Sequence, residues 1–362
     1  IHLGLEEGLE AHGIDFMTLP ATYELPSSYR ASWLYHARRL CEGQKFDQIW
    51  FFLRHAQFDE AFLDWAADVA PVRVGYIMES LTPSPEQLQA APHLAGIEPF
   101  MERQMQYMTH ILAFDERDSD EIQARGGRAM WCPWAIPQRF LSTLPALHRK
   151  PQAAFLGAVY GKRQQFLQHP SLKEKLVRVP RIEAHSELPE LFDNVAMYCH
   201  ARLHNGELLS IADLRDYLKI VRRIRRTIFD QYIAMLSHWS ANVVLPANFR
   251  GYSNRIVESA AARLPAISWD IPDRPRNRAL FEPGREILLF DPESPESLAA
   301  CIEQVLDEPE FARNLARNLH EKVLFHHTTE IRIEEILRWI ATGREPAYMQ
   351  SPRAEILDVR AR

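Results

Sequence analysis

The stretch ANVVLPANFRGYSNRIVESAAARLPAISWD, residues 241–270, contains a complete strand, helix and strand unit. Its two ends, ANVVLP and LPAISWD, are short apolar segments of the kind that form buried strands. Between them, the turn GYSN leads into small and apolar residues that suit a closely packed helix. Because a strand that returns through a helix pairs in parallel with its predecessor, this stretch predicts a parallel α/β sheet.

The same alternation continues on both sides of this unit. Four further apolar segments with strand character lie upstream, separated by helical patterns: FDQIWFFLRH, VRVGYIMES, THILAFD and AMWCPWAI. A second set begins with AAFLGAVYG and LVRVPRIEAH, is interrupted by a long helical insertion at residues 207–239, and ends with ILLFD. The sequence therefore predicts two Rossmann-like lobes, each a parallel sheet with helices on both faces, and ligand sites beyond the carboxyl ends of the strands.

The composition changes predict the domain limits. We expect a first Rossmann-like domain at residues 1–145, a second at 146–340, and a tail at 341–362. The opening segment IHLGLEEGLEAHGIDFMTLP indicates a helix, a stop at Gly13 and then a strand, with no strand before the helix. Since an α/β unit normally opens with a strand, we expect that the first strand is missing.

Composition and charge exclude several classes of protein. The formal net charge is −6, whereas a nucleic-acid surface normally has a basic excess. The four cysteines show no CxxC spacing, which indicates reduced thiols and a cytoplasmic location. Apolar runs such as IWFFL are far shorter than the roughly 20 residues of a membrane span, so only peripheral association with a membrane stays open.

One carboxylate, Glu258, lies inside the small-residue helix of the opening stretch. Ser253 or Asn254 can cap the start of that helix, and Arg255 lies three residues before Glu258 and so shares its face. A carboxylate in this place can accept hydrogen bonds from the two hydroxyls of a ribose. The alternative is structural: Glu258 pairs with Arg255 or Arg263, or neutralises the start of the helix.

These residues carry a family resemblance. GYSNRIVESAAARLPAISWD, followed by LFEPGREILLFDPESPESLAACIEQVLDEPEFARNLARN and the HHTTEIR helix, resembles the C-terminal domain of group 1 glycosyltransferases with the GT-B fold. The similarity is to the branch of bacterial spore-maturation glycosyltransferases and covers about residues 240–340. AAFLGAVYGKRQQFL resembles the opening strand and glycine turn of that domain more loosely, and residues 1–140 match only in pattern.

The resemblance implies a bacterial enzyme of polysaccharide biosynthesis that transfers a hexosyl or related group. Its donor would be a nucleotide-sugar, used as substrate with no further cofactor and no metal, and its acceptor a glycan, a lipid-linked sugar or a small molecule. The resemblance places the ribose on Glu258 and the diphosphate or sugar at the helix start, with Arg255 as the catalytic cation. The other implied donor-binding residues are Tyr252, Ser253, Asn254, Gly157, Lys162 and Arg163. Arg250 departs from the pattern, because many retaining members carry an acid there, so the stereochemical outcome stays open.

Other polar residues are candidates of a second kind. His55 and Glu79 follow strands of the first lobe, where a base that activates the acceptor would lie, although a structural role in the loop is the alternative. His185, His200 and His204 follow no regular spacing of metal ligands. The motif Asp118-Ser119-Asp120 is similar to a metal-binding Asp-x-Asp but precedes a helix, which favours capping.

The inserted helix is basic, with Arg215, Lys219, Arg222, Arg223, Arg225 and Arg226. Such a helix can lie on anionic lipid, but its apolar residues recur at helical spacing, which favours a solvated face over a core stripe. Two other functions also stay open at this point: a nucleotide-sugar epimerase or hydrolase on the same fold, and a binding protein without catalysis.

Overall fold

The computed structural model of the protein describes residues 3–18, 33–53, 58–78, 80–83, 88–89, 97–142, 148–179, 192–247 and 250–348. Within these ranges the chain forms two parallel sheets covered by helices. The predicted fold class, α/β with two Rossmann-like lobes, is confirmed.

The first lobe is built on a four-stranded sheet in the described residues. Its strands are β1 Gln48–Leu53, β2 Val72–Ile77, β3 His110–Ala113 and β4 Ala129–Trp131. They pair in parallel in the order β1-β2-β3-β4. The helices of this half are α1 Leu3–Ala11, α2 Trp33–Leu40, α3 Glu60–Val69, α4 Ile97–Gln106 and α5 Glu116–Ala124.

The second lobe contains a five-stranded parallel sheet in the order β6-β5-β7-β8-β9. Its strands are β5 Lys150–Leu156, β6 Leu176–Val179, β7 Trp239–Val244, β8 Ala266–Trp269 and β9 Leu288–Phe290. The helices of this half are α6 Arg163–Gln168, α7 Asn194–His204, α8 Ile211–Leu236, α9 Arg255–Ala261, α10 Pro275–Arg278, α11 Pro295–Asp307, α12 Pro309–His326 and α13 Thr329–Thr342. The opening stretch of the sequence analysis is the β7-α9-β8 unit, as predicted.

One predicted strand is wrong in its described part. Residues 14–18, after the turn at Gly13, form no strand, and residues 19–32 lie outside the described ranges. Helix α1 instead packs along the last helix, α13. A Cβ at Gly8 would come within 2.8 Å of the carbonyl oxygen of Thr329 and 2.6 Å of the Ile333 side chain, so this close approach requires glycine.

Two parts of the chain that follow the first sheet in sequence complete its cores. Tyr217 and Val221 of the inserted helix α8 belong to the same buried cluster as Phe51 of β1. On another cluster, Ile336 and Trp339 of α13 pack with strand residues of the first sheet. The division at residues 145 and 146 stays a prediction, and the apolar packing crosses it in two places.

Candidate active site

The candidate site lies where β5 and β7 end and α9 begins. Gly157 directly follows β5, and Arg255 is the first residue of α9. In a parallel α/β sheet, ligands bind beyond the carboxyl ends of the strands, which is where these two residues meet. The sequence expectation brought the same two segments together.

Glu258 is buried, with 3% of its surface exposed, and both of its oxygens accept hydrogen bonds. Tyr232 of α8 donates to Oε2 at 2.7 Å, and Asn254 donates to Oε1 at 2.5 Å. Burial raises the pKa of Glu258, and the charge of Arg255 together with these two hydrogen bonds opposes the rise. A carboxylate has about four acceptor positions, so each oxygen keeps one for a ligand hydroxyl.

The two ion-pair alternatives for Glu258 do not describe its contacts, whereas its place in the first turn of α9 still agrees with the alternative that it neutralises the helix start. Glu258 forms no ion pair with Arg255 or Arg263 within the described part of the chain. Arg263 instead donates to the carbonyl oxygen of Leu141 at 3.0 Å. Glu258 is therefore held by neutral donors, and Arg255 acts on it through its charge.

Arg255 lies across the turn that follows β5. Its Nε donates to the carbonyl oxygen of Leu156 at 2.5 Å, and a Cβ at Gly157 would come within 3.0 Å of its Nη2. Gly157 therefore leaves the space that the guanidinium occupies. The two terminal nitrogens of Arg255 donate no hydrogen bond to any residue that the structure describes, so they are available to an anion.

Arg163 holds the two turns of the site together. It is 3% exposed, and it donates to the carbonyl oxygens of Pro246 at 2.6 Å and Ala158 at 3.0 Å. Its guanidinium also lies 4.0 Å from the ring centroid of Tyr160. Burial lowers the pKa of Arg163 to about 10, and the nearby charge of Arg255 lowers it too. This geometry gives Arg163 a positioning role behind Arg255, because its donors are engaged with backbone carbonyls.

Lys162 is at the surface beside this turn and forms an ion pair with Glu293. Its charge is therefore partly offset by a carboxylate from the loop after β9. An anion that binds near this turn would therefore find free donors on Arg255, whereas Lys162 is already paired.

Of the three residues before Arg255, Ser253 accepts a hydrogen bond at the helix start, as the sequence allows for it or Asn254, and donor binding by all three stays a prediction. Tyr252 is 3% exposed, its ring packs 6.0 Å from that of Phe281, and its hydroxyl finds no hydrogen-bond partner among the described residues. Ser253 Oγ accepts from the amide of Arg255 at 3.3 Å. Asn254 stands at the cap position but makes no side-chain cap bond, because its amide donates to Glu258 instead.

Arg250, which departs from the family pattern, lies where the two lobes meet. Its Nη1 donates to Asp273 at 2.8 Å, and its amide donates to Ser80 Oγ of the first lobe at 3.2 Å. Ser80 in turn donates to Asp115 at 2.6 Å. The arginine is thus part of a polar junction between the lobes.

The acidic motif at residues 118–120 belongs to the same junction. Asp115 caps α5, Asp118 is buried and accepts from the amide of Leu81 at 2.9 Å, and Asp120 pairs with Arg276. Burial, with the charge of Asp115, raises the pKa of Asp118 to about 8. Capping thus comes from Asp115, three residues before the motif. Across the described ranges, no three His, Cys, Asp or Glu side chains are grouped as metal ligands.

The remaining candidates divide into two groups. His55, Glu79 and His185 lie outside the described residues. His200 is partly buried on α7, where its Nδ1 lies 3.1 Å from the hydroxyl of Tyr217, and burial with nearby His204 lowers its pKa.

The basic inserted helix has a buried stripe, as the favoured interpretation predicts. Its buried residues include Leu214, Tyr217, Val221, Ile224 and Ile228. On another side, Arg222 and Arg226 form ion pairs with Glu10 of α1 at 2.5 and 2.8 Å. Among the helices that the structure describes, none combines the length and the low polarity that a membrane crossing requires.

Sequence reasoning missed Tyr232. It lies 26 residues before Glu258 on a helix interpreted as an insertion, and no local spacing links the two. Only the packing of α8 against α9 reveals the contact.

Part of the chain matches a known protein family. Residues 215–338 match the family described as glycosyl transferase-like, and these residues include Tyr232, Arg255 and Glu258. No curated protein matches the chain in sequence.

Solved structures resemble the chain over most of its length. HepE from Anabaena in complex with UDP and glucose has a TM-score of 0.54 at 12% identity, with 92% of this chain and 88% of that chain covered. The same protein with UDP-glucose has a TM-score of 0.51 at 13% identity over the same shares. The N-terminal domain of Candida albicans trehalose-6-phosphate phosphatase has a TM-score of 0.50 at 12% identity, covering 91% of this chain and 78% of that one.

At such identities the structural likeness shows the fold, and the family match shows the domain. The expected resemblance to GT-B glycosyltransferases is confirmed, while the narrower likeness to the spore-maturation branch stays a prediction. The chain has the two-lobed fold of the GT-B glycosyltransferases, and its residues 215–338 match the glycosyl transferase-like family.

Proposed function

We propose that the protein transfers a sugar from a nucleotide-diphosphate donor to a hydroxyl acceptor, with the donor bound at the ends of β5 and β7. The observation that carries this proposal is the pair on α9. Glu258 is a buried, oriented carboxylate with free acceptor positions, and Arg255 is a cation with free donors three residues away. A ribose diol and a diphosphate are the two groups that this pair complements.

In the proposed reaction, a hydroxyl oxygen of the acceptor bonds to the anomeric carbon of the donor sugar. The bond from that carbon to the diphosphate oxygen breaks, the diphosphate leaves with the electron pair, and the proton of the hydroxyl passes to water. Arg255 stabilises the negative charge that develops on the diphosphate, and one such preorganised donor contributes about 3 kcal/mol. Arg163 strengthens the field from behind without touching the ligand. The scheme draws its charge from the protein and uses neither a metal nor a further cofactor.

The first candidate for the donor nucleotide is uridine diphosphate, because the structurally similar HepE is described in complex with UDP and UDP-glucose. The acceptor in this proposal is a glycan, a lipid-linked sugar or a small molecule bound on the first lobe, as in bacterial polysaccharide biosynthesis. A cytoplasmic location is part of the proposal and is supported by Cys41, Cys132, Cys199 and Cys301, all of which are free thiols.

The test is thermal stability with UDP, GDP, ADP, TDP and CMP sugars, measured on the wild type, Glu258→Ala and the control Glu310→Ala. Glu310 is an exposed carboxylate in the first turn of α12. A ligand at a hundredfold excess over its Kd stabilises the folded protein by about 2.7 kcal/mol. We expect a shift with one nucleotide for wild type and Glu310→Ala that Glu258→Ala loses.

Turnover with and without acceptors then separates the reaction classes. Release of free nucleotide only when an acceptor hydroxyl is present supports transfer, and insensitivity to a chelator supports the metal-free scheme. Release of free nucleotide at full rate without any acceptor would instead assign a hydrolase. No stabilisation by any nucleotide sugar would contradict the donor site itself.

A further inference from the structure

We propose that Tyr232 is a positioning residue of the donor site, which holds the carboxylate of Glu258 so that its free acceptor positions face the ribose. The inference rests on the proposed function and adds a residue from the inserted helix α8 to that site. Tyr232 is not expected to touch the donor, since its hydroxyl is engaged with Glu258 Oε2.

The two hydrogen bonds on Glu258 together fix the orientation of its carboxylate. Tyr232 approaches Oε2 at 2.7 Å from α8, and Asn254 approaches Oε1 at 2.5 Å from the start of α9. A glutamate side chain has several rotatable bonds, and fixing it in advance removes an entropic cost from ligand binding. One bond alone would leave the carboxylate plane free to turn, whereas two donors on different oxygens define it.

The ring of Tyr232 is itself fixed by its neighbours. It stacks on Phe229 at 5.8 Å between centroids and 9° between planes, and Phe229 meets the edge of Phe140 at 5.0 Å. One residue further, Ile233 is buried in the core of the second lobe. This packing of the ring therefore fixes the position of the Tyr232 hydroxyl.

Helix α8 also reaches the other lobe. Near its start, Tyr217 and Val221 lie in the core of the first lobe, and Arg222 and Arg226 pair with Glu10 of α1. One continuous 26-residue helix thus joins the first lobe to the carboxylate of the donor site. The orientation of Glu258 is tied to the packing of both lobes.

The charged groups around Glu258 indicate how its pKa would change if the hydrogen bond from Tyr232 were removed. Of the described charged side chains, Arg255 acts on Glu258 and favours its ionised form. Among the charged side chains near α9, His320 contacts the carbonyl oxygen of Ala260, Arg139 forms ion pairs with two carboxylates, and Arg263 donates to the carbonyl oxygen of Leu141. Since the bond from Tyr232 also favours the ionised form, its removal raises the pKa of the carboxyl group.

The experiment measures the Kd of UDP, and of the nucleotide that gives the stability shift if it is another, from acidic to mildly alkaline pH. The variant is Tyr232→Phe, which keeps the ring and removes the hydroxyl. The control is Tyr35→Phe, the same change on a tyrosine of α2 that is 46% exposed. We expect Tyr232→Phe to bind about tenfold more weakly near neutral pH, as for loss of one hydrogen bond to a charged group, and we expect acid to weaken its binding at a higher pH than in the wild type. The control should follow the wild type throughout.

A double-mutant cycle with Glu258→Gln separates positioning from general damage. Glutamine is neutral at every pH, so Tyr232→Phe should cost far less affinity, with no pH dependence, in that background. Equal tenfold losses in both backgrounds would overturn the proposal, as would a Tyr232→Phe variant that binds like the wild type while Glu258→Gln does not. Those results leave the donor site standing. A wild type that binds no nucleotide overturns both the inference and the proposed function.

Discussion

Asp115 and Arg274 form a buried two-point ion pair between the lobes. Nε of Arg274 lies 2.5 Å from Oδ1 and its Nη2 lies 2.8 Å from Oδ2, and the two side chains are 2% and 0% exposed. Asp115 ends the β3 segment of the first lobe, whereas Arg274 follows β8 in the second. Glu116 adds a bond from the amide of Asn277 at 2.5 Å. The lobes are thus joined by charges removed from water.

The first prediction concerns this pair. Asp115→Asn leaves the Arg274 guanidinium buried without its full counter-charge, and breaking a buried pair in this way typically costs about 3–5 kcal/mol. We expect that loss in the free energy of unfolding measured with urea. Asp120→Asn, which removes an exposed partner of Arg276 on the same helix, should change stability little. Equal effects of the two changes would show that the buried pair contributes no more to stability than the exposed pair.

The second prediction concerns the pH dependence of stability. Asp118 has a pKa of about 8 in the folded protein, raised by burial and by Asp115, and an ordinary value of 3.8 when unfolded. Between those values the folded state holds a proton that the unfolded state has lost, so the contribution of Asp118 to stability falls as pH rises through this window. The slope is at most about 1.4 kcal/mol per pH unit, and it vanishes above pH 8.

Asp118→Asn should remove that decline, because the amide stays neutral and its oxygen can still accept from Leu81. Unfolding by urea at several pH values between 4 and 8, compared with Asp120→Asn, measures the difference. Parallel pH profiles for the wild type and Asp118→Asn would show that Asp118 is ionised in the folded state.

The third prediction concerns the space beside Arg255. In Gly157→Ala, the new Cβ would meet Arg255 Nη2 at 3.0 Å and the ring of Phe155 at 2.8 Å, so the guanidinium must move. We expect a loss of kcat/KM that approaches that of Arg255→Ala, for which removal of one charge-stabilising donor predicts about a hundredfold loss. Gly127→Ala is the control, because its Cβ is equally crowded, against Ile122, far from the site in sequence. If Gly157→Ala retains full activity, Arg255 does not depend on this turn.

The fourth prediction concerns the contact between α1 and α13. Gly8→Ala places a methyl group 2.8 Å from the backbone oxygen of Thr329, which cannot move without shifting a helix, and overpacking of this kind costs about 1–3 kcal/mol. Gly4→Ala on the same helix face meets Thr329 Oγ1 at 3.1 Å, a side-chain atom that can yield. The midpoint temperature of thermal unfolding should therefore be well below that of Gly4→Ala in the Gly8→Ala variant. The opposite order would contradict the close helix packing.

Sequence reasoning was most accurate where the signal is local. It predicted the β7-α9-β8 unit, and it placed Glu258, Arg255 and Gly157 at one end of the sheet. Both predictions use the hydrophobic periods of strands and helices, which neighbouring residues define. It assigned Tyr252 to the ligand, yet that ring is buried against Phe281. Which side chains of this turn are buried depends on the elements that pack over it, and local composition does not carry that information.

The sequence by itself determined the two-lobed parallel architecture and the carboxylate and guanidinium on the helix of the candidate site. Only the tertiary structure decided what orients them. Tyr232 reaches Glu258 across 26 residues, and Arg274 reaches Asp115 across 159. Such contacts form when separate helices and loops pack together, and the free energy that selects them comes from burial and charge pairing between distant segments. A periodic pattern along the sequence does not indicate which distant residues come into contact.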